Sequence, residues 1–354
     1  MSDPSRPAPP LVAALAAMTL AQKAGQVMCA GFDGSELTPA LRSLIEELHL
    51  GGLVYFERNV ASRPALARLS ADVQHVARQA GRPPLLIAID QEGGRVTRLR
   101  AAKGFSEFAS PLETAAAGGP DAVRQTAAAM AAELLDLGIT MNLAPVLDVN
   151  SNPANPVINT RSFGSDPHLA AACGAAFIAA LQEAGVMAVG KHFPGHGDTT
   201  VDSHVALPVV AHQRARLEAV EFTPFRAAIA AGVAGIMSAH VHFPAIEPAA
   251  GLPATLSRRV LTDLLRGELG YRGLLLTDSL EMGALAASGY PAPLAAVHAL
   301  AAGADVLLFN TDPGVLREAR ATIVRWVEGG QLDPARLDEA VLRILAAKQR
   351  FGLR

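Results

Sequence analysis

The 354-residue sequence has few of the residues that mark secreted or membrane-spanning proteins. Its only two cysteines, Cys29 and Cys173, both lie in apolar runs, so we expect buried thiols rather than a disulfide. No apolar run reaches the roughly 18 residues that a membrane-spanning helix needs. Asp3 and four prolines stand where a secretory signal would carry basic residues. A signal peptide is therefore not expected, and a cytoplasmic protein is the default.

Charge is also sparse. Charged residues make up 18% of the chain and the formal net charge is −3, so neither a nucleic-acid partner nor an anionic membrane surface is indicated. Hydrophobic residues, in contrast, make up 50% of the chain, which is enough for a large core. Length alone allows one α/β barrel or two ordinary domains. Residues 1–10 read as a disordered tail, and no linker divides residues 11–354, so a single domain is expected there.

Short apolar runs typical of strands recur along the chain, and an alanine-rich helical pattern follows each of them. The eight candidate strands are Gln26–Ala30, Gly52–Phe56, Leu86–Asp90, Thr140–Ala144, Met187–Lys191, Gly235–Ala239, Leu274–Asp278 and Asp305–Phe309. Strands that are apolar throughout are buried on both faces, as in a parallel sheet covered by helices. Eight such units in this length predict a TIM-type (β/α)8 barrel.

An open doubly wound sheet is the alternative architecture. It is disfavoured because no G-x-G-x-x-G fingerprint follows an early strand. Helix starts support the alternation of strands and helices, since Asp166-Pro167 and Asp333-Pro334 each place an N-cap residue before a proline. Asp90, Lys191, His240 and Asp278 all lie at or just past strand ends, and a closed barrel brings those ends together on the face where barrel active sites lie.

The stretch from Lys191 to His204, KHFPGHGDTTVDSH, carries the densest polar chemistry of the chain. Asp202 stands two residues before His204, close enough to hydrogen-bond the imidazole and raise its pKa. Such a histidine can give a proton to a leaving group and later take one from a nucleophile. The alternative is an Asp and a His that are merely solvated in a loop. The many polar residues around them favour a functional pair.

Asp278, in the segment LLLTDSLEM, ends a very apolar strand. A carboxylate there is costly unless it is paired or functional. The competing interpretation is a helix N-cap, because Asp278 and Ser279 precede a possible helical turn. The local sequence favours neither interpretation.

A third group consists of charged residues, far apart in the sequence, that the barrel would bring to one cleft. It comprises Asp90, Arg95 and Arg98 in IDQEGGRVTRL, together with Arg161 and Lys191. Arginine offers planar, multidentate hydrogen bonds and a carboxylate accepts pairs of hydroxyls, so the set suits a polyhydroxylated or anionic ligand. Salt bridges at the barrel mouth are the alternative role for some of these charges.

The histidines also raise the question of a metal site. His192, His196 and His204 could bind a metal together with Asp198 or Asp202. The four-residue spacing of His192 and His196 places them on one face only in a helix, and the prolines and glycines around them oppose a helix. No metal and no cofactor are therefore expected. No G-x-S-x-G nucleophile elbow is present either.

These motifs together resemble family 3 glycoside hydrolases of the β-N-acetylhexosaminidase branch. KHFPGHGDTTVDSH is similar to the signature of that branch, and the other family segments follow in the family's order: MTLAQKAGQVM, IDQEGGRVTRL, NLAPVLDVN, RSFGSDP, IMSAHV, LLLTDSLEMGAL and AGADVLLFN. The resemblance covers nearly the whole chain. It implies a TIM-type barrel and a retaining mechanism with a covalent glycosyl-enzyme intermediate.

By this resemblance Asp278 is the nucleophile, His204 the acid/base and Asp202 its dyad partner. The implied substrate contacts are Asp90, Arg98, Arg161, Lys191 and His192. Ser279 stands where many relatives have a second acidic residue, and Asn159-Thr160 where a glycine often precedes the arginine. Larger members carry a second sandwich domain, whereas this chain ends soon after the eighth strand, so we expect a single-domain, monomeric form.

The implied activity is exo-acting removal of β-1,4-linked GlcNAc from GlcNAc-1,6-anhydroMurNAc and its peptides in peptidoglycan recycling. The alternatives are a β-N-acetylglucosaminide phosphorylase and a hexosaminidase directed at chitooligosaccharides. A sugar-binding protein without activity is disfavoured because every catalytic residue of the family is present. A further alternative is a barrel hydrolase that uses a metal ion for catalysis.

Overall fold

Eight parallel strands close into a barrel, and helices surround it. The computed structural model describes residues 9–203, 206–310 and 312–353. In chain order the strands are β1 (Met28–Ala30), β2 (Gly52–Tyr55), β3 (Leu86–Ile89), β4 (Gln91–Gly93), β5 (Val96–Thr97), β6 (Met141–Asn142), β7 (Met187–Phe193), β8 (Gly235–Ser238), β9 (Leu274–Ser279) and β10 (Val306–Phe309). The barrel consists of β1–β3 and β6–β10, whereas β4 and β5 form a separate two-stranded sheet. Neighbouring barrel strands pair in parallel, and β10 pairs with β1 to close the ring. The predicted TIM-type (β/α)8 barrel is confirmed.

The helices follow the strands around the barrel. They are α1 (Pro9–Ala16), α2 (Leu20–Gln26), α3 (Pro39–Leu48), α4 (Arg63–Gln79), α5 (Pro111–Asp136), α6 (Pro167–Ala184), α7 (Arg214–Ala219), α8 (Phe222–Ala230), a π-helix (Arg259–Glu268), α9 (Gly283–Ala287), α10 (Ala292–Ala302), α11 (Pro313–Glu328) and α12 (Pro334–Arg350). Short 3-10 turns lie at Glu57–Asn59, Ala101–Lys103, Asn159–Arg161 and Ala254–Leu256.

Each of the eight predicted strands has its counterpart in the barrel, with shifted ends. The first strand begins at Met28 because Gln26 is the last residue of α2. β7 extends two residues beyond the prediction to Phe193, so that His192 as well as Lys191 lies within the strand. β4 and β5 form an antiparallel hairpin that the sequence did not predict, and it follows directly after Asp90.

Two of the helical segments are interrupted. α5 begins at Pro111, and a kink at Gly118 and Gly119 separates its two parts. Gly119 has a φ of 58°, a conformation that glycine adopts without a Cβ penalty. The segment before β8 likewise forms two helices, α7 and α8, rather than one.

The predicted helix starts at Asp166 and Asp333 are confirmed. Asp166 accepts a hydrogen bond from the His168 N–H at 2.9 Å, and Asp333 accepts one from the Ala335 N–H at 2.9 Å. Each satisfies an amide of the first helical turn that has no partner within the helix. α1 begins at Pro9, so the last two residues of the predicted tail are helical. Residues 1–8 lie outside the described part of the chain, and there the tail stays a prediction.

One continuous hydrophobic core fills the barrel and the layer between strands and helices. Strand residues such as Leu53, Ile87, Val189 and Leu275 are fully buried. Both cysteines are buried free thiols, as predicted. Within the described residues, no helix combines the length and the apolar character needed to cross a bilayer.

Candidate active site

A pocket of about 230 Å³ opens at the carboxyl ends of the barrel strands. Six of the eight residues predicted for the site line it: Asp90, Arg98, Arg161, Lys191, His192 and Asp278. They come from the ends of β3, β7 and β9, from the end of the β4–β5 hairpin and from the turn Asn159–Arg161. The barrel thus brings together residues that are up to about half the chain apart, as the strand-end argument predicts.

A buried network of charges forms one wall of the pocket. The Lys191 ammonium lies 2.8 Å from Asp90 Oδ1 and 2.6 Å from Glu92 Oε1. Arg161 donates two hydrogen bonds to Glu92, one from Nε and one from Nη2, each 2.8 Å long. Arg98 Nη2 donates to Asp90 Oδ2 at 3.0 Å. The three cations are therefore held at fixed positions by two carboxylates.

These partners decide the protonation states of the wall. Burial alone would raise the pKa of Asp90, but Lys191 and Arg98 hold that pKa well below its usual value. Burial would lower the pKa of Lys191, whereas Asp90 and Glu92 raise it above its usual value. The pKa of Glu92 is lowered in spite of burial, because Arg161 and Lys191 lie beside it. All three groups stay charged around neutral pH.

Asp278 lies across the pocket, within β9. Its Oδ1 accepts a hydrogen bond of 2.7 Å from the Ser279 N–H. The next helix, α9, begins at Gly283 with Met282 as its N-cap, so Asp278 caps no helix. Burial would raise the pKa of Asp278, but His192, His240 and the Ser279 amide keep it below its usual value. The side chain is thus an ionised carboxylate facing the pocket, the state that a nucleophile requires.

His192 is oriented by a residue that the sequence argument did not single out. Asp148 is 1% exposed, and its Oδ2 lies 2.6 Å from His192 Nδ1. Asp148 Oδ1 also accepts the backbone N–H of His196 at 2.6 Å. Asp148 ends an apolar run in NLAPVLDVN, the same signal that identified Asp90 and Asp278. That signal could have found it.

Glu92 is the second missed residue of the site. Its carboxylate is buried beneath Lys191 and Arg161. A buried lysine beside two arginines needs more than the single anion Asp90, and this charge balance is the signal that points to Glu92. Arg95, grouped with these residues on sequence grounds, instead donates to the backbone carbonyls of Val157 and Ile158.

His196 connects the barrel to the loop that follows β7. Its Nδ1 lies 2.7 Å from Thr199 Oγ1 and its Nε2 lies 3.0 Å from Ser203 Oγ. Burial lowers the pKa of His196 to about 4, with the neighbouring His192 acting in the same direction. His196 is therefore neutral at physiological pH, with hydroxyl groups at both ring nitrogens.

The predicted acid/base pair, Asp202 and His204, follows His196 closely in the sequence. Asp202 is half-buried, and its backbone carbonyl accepts a hydrogen bond from Ala206 N at 3.2 Å. His204 lies outside the described residues. Ser203, between them in sequence, lines the pocket. The dyad of Asp202 and His204 thus stays a prediction, which the position of the intervening Ser203 at the pocket supports.

The other predicted strand-end residue, His240, lies beneath the site. Its Nε2 is 2.9 Å from the Ser279 carbonyl oxygen and its Nδ1 is 2.8 Å from Thr255 Oγ1. Among the described residues no group of three or more His, Cys, Asp or Glu side chains is arranged to hold a metal ion. The ring nitrogens of His196 already contact hydroxyl groups, so that residue is poorly suited to be a ligand.

Comparisons with known proteins identify the family of the chain. The family model described as the Glycosyl hydrolase family 3 N terminal domain matches residues 19–347. The chain belongs to this family. A β-hexosaminidase of Alkalilimnicola ehrlichii is 40% identical over 289 residues, covering 80% of each chain. β-Hexosaminidase A of Pseudoalteromonas piscicida is 37% identical over 334 residues, covering 89% of this chain and 56% of the relative.

A solved structure is similar throughout the barrel. The family 3 β-N-acetylglucosaminidase of Paenibacillus sp. FPU-7 superposes with a TM-score of 0.92 at 48% identity, covering 95% of this chain and 63% of that one. The family 3 chain described here therefore spans less than two thirds of some relatives and about four fifths of others.

Proposed function

We propose that the protein is an exo-acting, retaining β-N-acetylglucosaminidase. The observation that carries the proposal is the pocket itself, in which the ionised Asp278 carboxylate faces a wall of fixed charges formed by Asp90, Lys191 and Arg98. A pocket of about 230 Å³ suits a single sugar rather than a stretch of polysaccharide, which favours cleavage at a chain end. The names of the hexosaminidase relatives support N-acetylglucosamine as that sugar.

The proposed reaction has two displacements. Asp278 attacks C1 of the terminal sugar and forms a glycosyl ester, while the imidazolium of His204 gives its proton to the departing glycosidic oxygen. Water then attacks C1, His204 takes a proton from it, and the Asp278 carboxylate leaves. Asp202 keeps His204 basic enough to carry the proton in both steps. Asp90, Arg98, Arg161, Lys191 and His192 hold the sugar hydroxyls and the N-acetyl group.

The proposed substrate is GlcNAc-1,6-anhydroMurNAc with or without its peptide, in the cytoplasmic recycling of peptidoglycan. The residues 11–354 form the catalytic domain and act as a monomer. Chitooligosaccharides and phosphorolysis are the competing possibilities. With phosphate in place of water, the same glycosyl ester would give GlcNAc-1-phosphate.

Product analysis separates these possibilities. GlcNAc-anhydroMurNAc and chitobiose are each incubated with the enzyme, with and without inorganic phosphate, and the first-formed anomer is followed by NMR. We expect β-GlcNAc as the first product, independent of phosphate, and a higher kcat/KM for the muropeptide disaccharide. An initial α anomer would contradict the retaining mechanism, and obligatory GlcNAc-1-phosphate would replace hydrolysis by phosphorolysis.

A further inference from the structure

Asp148 lies beside the end of β7 although it is 44 residues away from His192 in sequence. The segment that carries it runs next to β7, because Leu147 N donates to the Lys191 carbonyl at 2.6 Å. This places the carboxylate between two backbone amides and one imidazole ring. Asp148 Oδ1 accepts from the N–H groups of His192, at 3.2 Å, and His196, at 2.6 Å.

The remaining oxygen of Asp148 faces the ring of His192. Oδ2 lies 2.6 Å from Nδ1, the length of a strong hydrogen bond. An ionised carboxylate only accepts hydrogen bonds, so the proton of this bond must be on Nδ1. The imidazole of His192, which lies beside Asp148 and is hydrogen-bonded to it, keeps the pKa of Asp148 below its usual value although burial would raise it. The carboxylate is therefore ionised whenever the protein is at neutral pH.

We propose that Asp148 is a positioning residue that fixes His192 in its Nδ1–H form and leaves Nε2 to accept a hydrogen bond from a sugar hydroxyl. The second half of this statement rests on the proposed function. His192 lines the pocket, and its Nδ1 edge is turned to Asp148, so the opposite edge of the ring is the one available to a ligand.

The charges of the pocket explain why an acceptor is needed there. Lys191, Arg98 and Arg161 offer only donors to a ligand. The two Asp90 oxygens already accept from Lys191 and Arg98, at 2.8 and 3.0 Å. A sugar hydroxyl both donates and accepts, so a ring nitrogen held as an acceptor complements these cations.

The tautomer is measured directly by nitrogen NMR of protein labelled at histidine, with the His192 signals assigned from a His192→Gln variant. In the wild-type protein Nδ1 should carry a proton at every pH at which the protein is folded. A neutral ring of His192 with the proton on Nε2 would overturn the proposal. This measurement needs neither activity nor the Asp148 variant, so it stands even if that variant does not fold.

Asp148→Asn should reverse the tautomer. Two backbone N–H groups require an acceptor at the Oδ1 position, so the amide oxygen takes that place and the NH2 group faces His192 Nδ1. The neutral ring must then carry its proton on Nε2. Asp198→Asn is the matched control. Asp198 Oδ2 lies 2.5 Å from His212 Nε2, a similar carboxylate–imidazole pair, and neither residue lines the pocket. This control should leave the His192 signals unchanged, and an unchanged tautomer in Asp148→Asn would also overturn the proposal.

Binding then tests the acceptor. The affinities of GlcNAc and of its 3-, 4- and 6-deoxyfluoro analogues are measured at a pH where the ring is neutral. Fluorine cannot donate, so one analogue should bind the wild-type protein about ten-fold more weakly than GlcNAc. That difference should disappear in Asp148→Asn and persist in Asp198→Asn. Equal binding of all analogues to the wild-type protein would overturn the acceptor role, whereas no binding of GlcNAc itself would count against the proposed function and leave the tautomer result standing.

Discussion

Lys191 and Glu92 are joined by an ion pair of 2.6 Å between side chains that are only 3% and 1% exposed. Both oxygens of Glu92 also accept hydrogen bonds from Arg161, so one buried carboxylate holds two of the cations that face the pocket. A charge that is removed from water needs such partners, since an unpaired one is costly. The ligand-facing residues of the wall thus depend on a residue beneath them.

Glu92→Gln should destabilise the protein by about 3–5 kcal/mol, because it leaves buried cations without an anion. Urea denaturation measures the change. The control is Glu57→Gln, which breaks the half-exposed pair of Glu57 with Arg100 and should cost no more than about 1 kcal/mol. Similar losses for the two variants would show that Glu92 does not hold the network.

Asp278→Ala should lower kcat for an activated aryl GlcNAc by a factor on the order of 10⁴ or more, because the nucleophile is lost. Its melting temperature should stay close to that of the wild-type protein, since the change removes a buried charge. Added azide should restore turnover and give the α-glycosyl azide, which NMR identifies. Wild-type rates without azide would exclude Asp278 as the nucleophile.

His204→Ala should lower kcat/KM for chitobiose by about 10²-fold or more, but much less for an aryl GlcNAc with a good leaving group. Acid assistance matters most when the leaving group is poor. His212→Ala is the control within the same connection, since His212 pairs with Asp198 outside the pocket lining. Equal losses on both substrates in His204→Ala would argue against an acid role.

Asp90 should stabilise the fold in a pH-dependent way. Its pKa is lower in the folded protein than its ordinary value of 3.8, so its ion pairs stabilise the protein above that pH, and the contribution is lost as the pH falls below it. The stability difference between wild type and Asp90→Asn should therefore be smaller at about pH 3 than at pH 7. Asp33→Asn, a change at an exposed carboxylate, provides the comparison. A difference for Asp90→Asn that is equal at both pH values would contradict this.

Gly197→Ala should destabilise the connection after β7. A Cβ at this position would lie 1.8 Å from the Val149 carbonyl oxygen, so the backbone must move. We expect a loss of about 1–3 kcal/mol in urea denaturation. In Gly267→Ala the new Cβ would lie 3.5 Å from its nearest neighbour, inside a helix, so stability should be unchanged or slightly higher. Equal stability of the two variants would mean that the connection tolerates a side chain at Gly197.

Much of the architecture could be predicted because its signals are local. Apolar runs indicated the eight strands. Asp166 and Asp333 indicated helix starts, because each accepts a hydrogen bond from a residue only two positions further along the chain. The kink of α5 and the hairpin after Asp90 were missed. They depend on glycines, and on neighbours such as Ala109, whose carbonyl oxygen leaves no room for a side chain at Gly93.

The sequence by itself determined which residue types stand at the strand ends, and so located Asp90, Lys191 and Asp278 in one site. Only the tertiary structure decided their partners. Lys191 meets Asp90 across 101 residues, and His192 meets Asp148 across 44. Local periodicity carries no information about such pairs, because barrel closure and the register between strands decide which side chains lie within hydrogen-bonding distance.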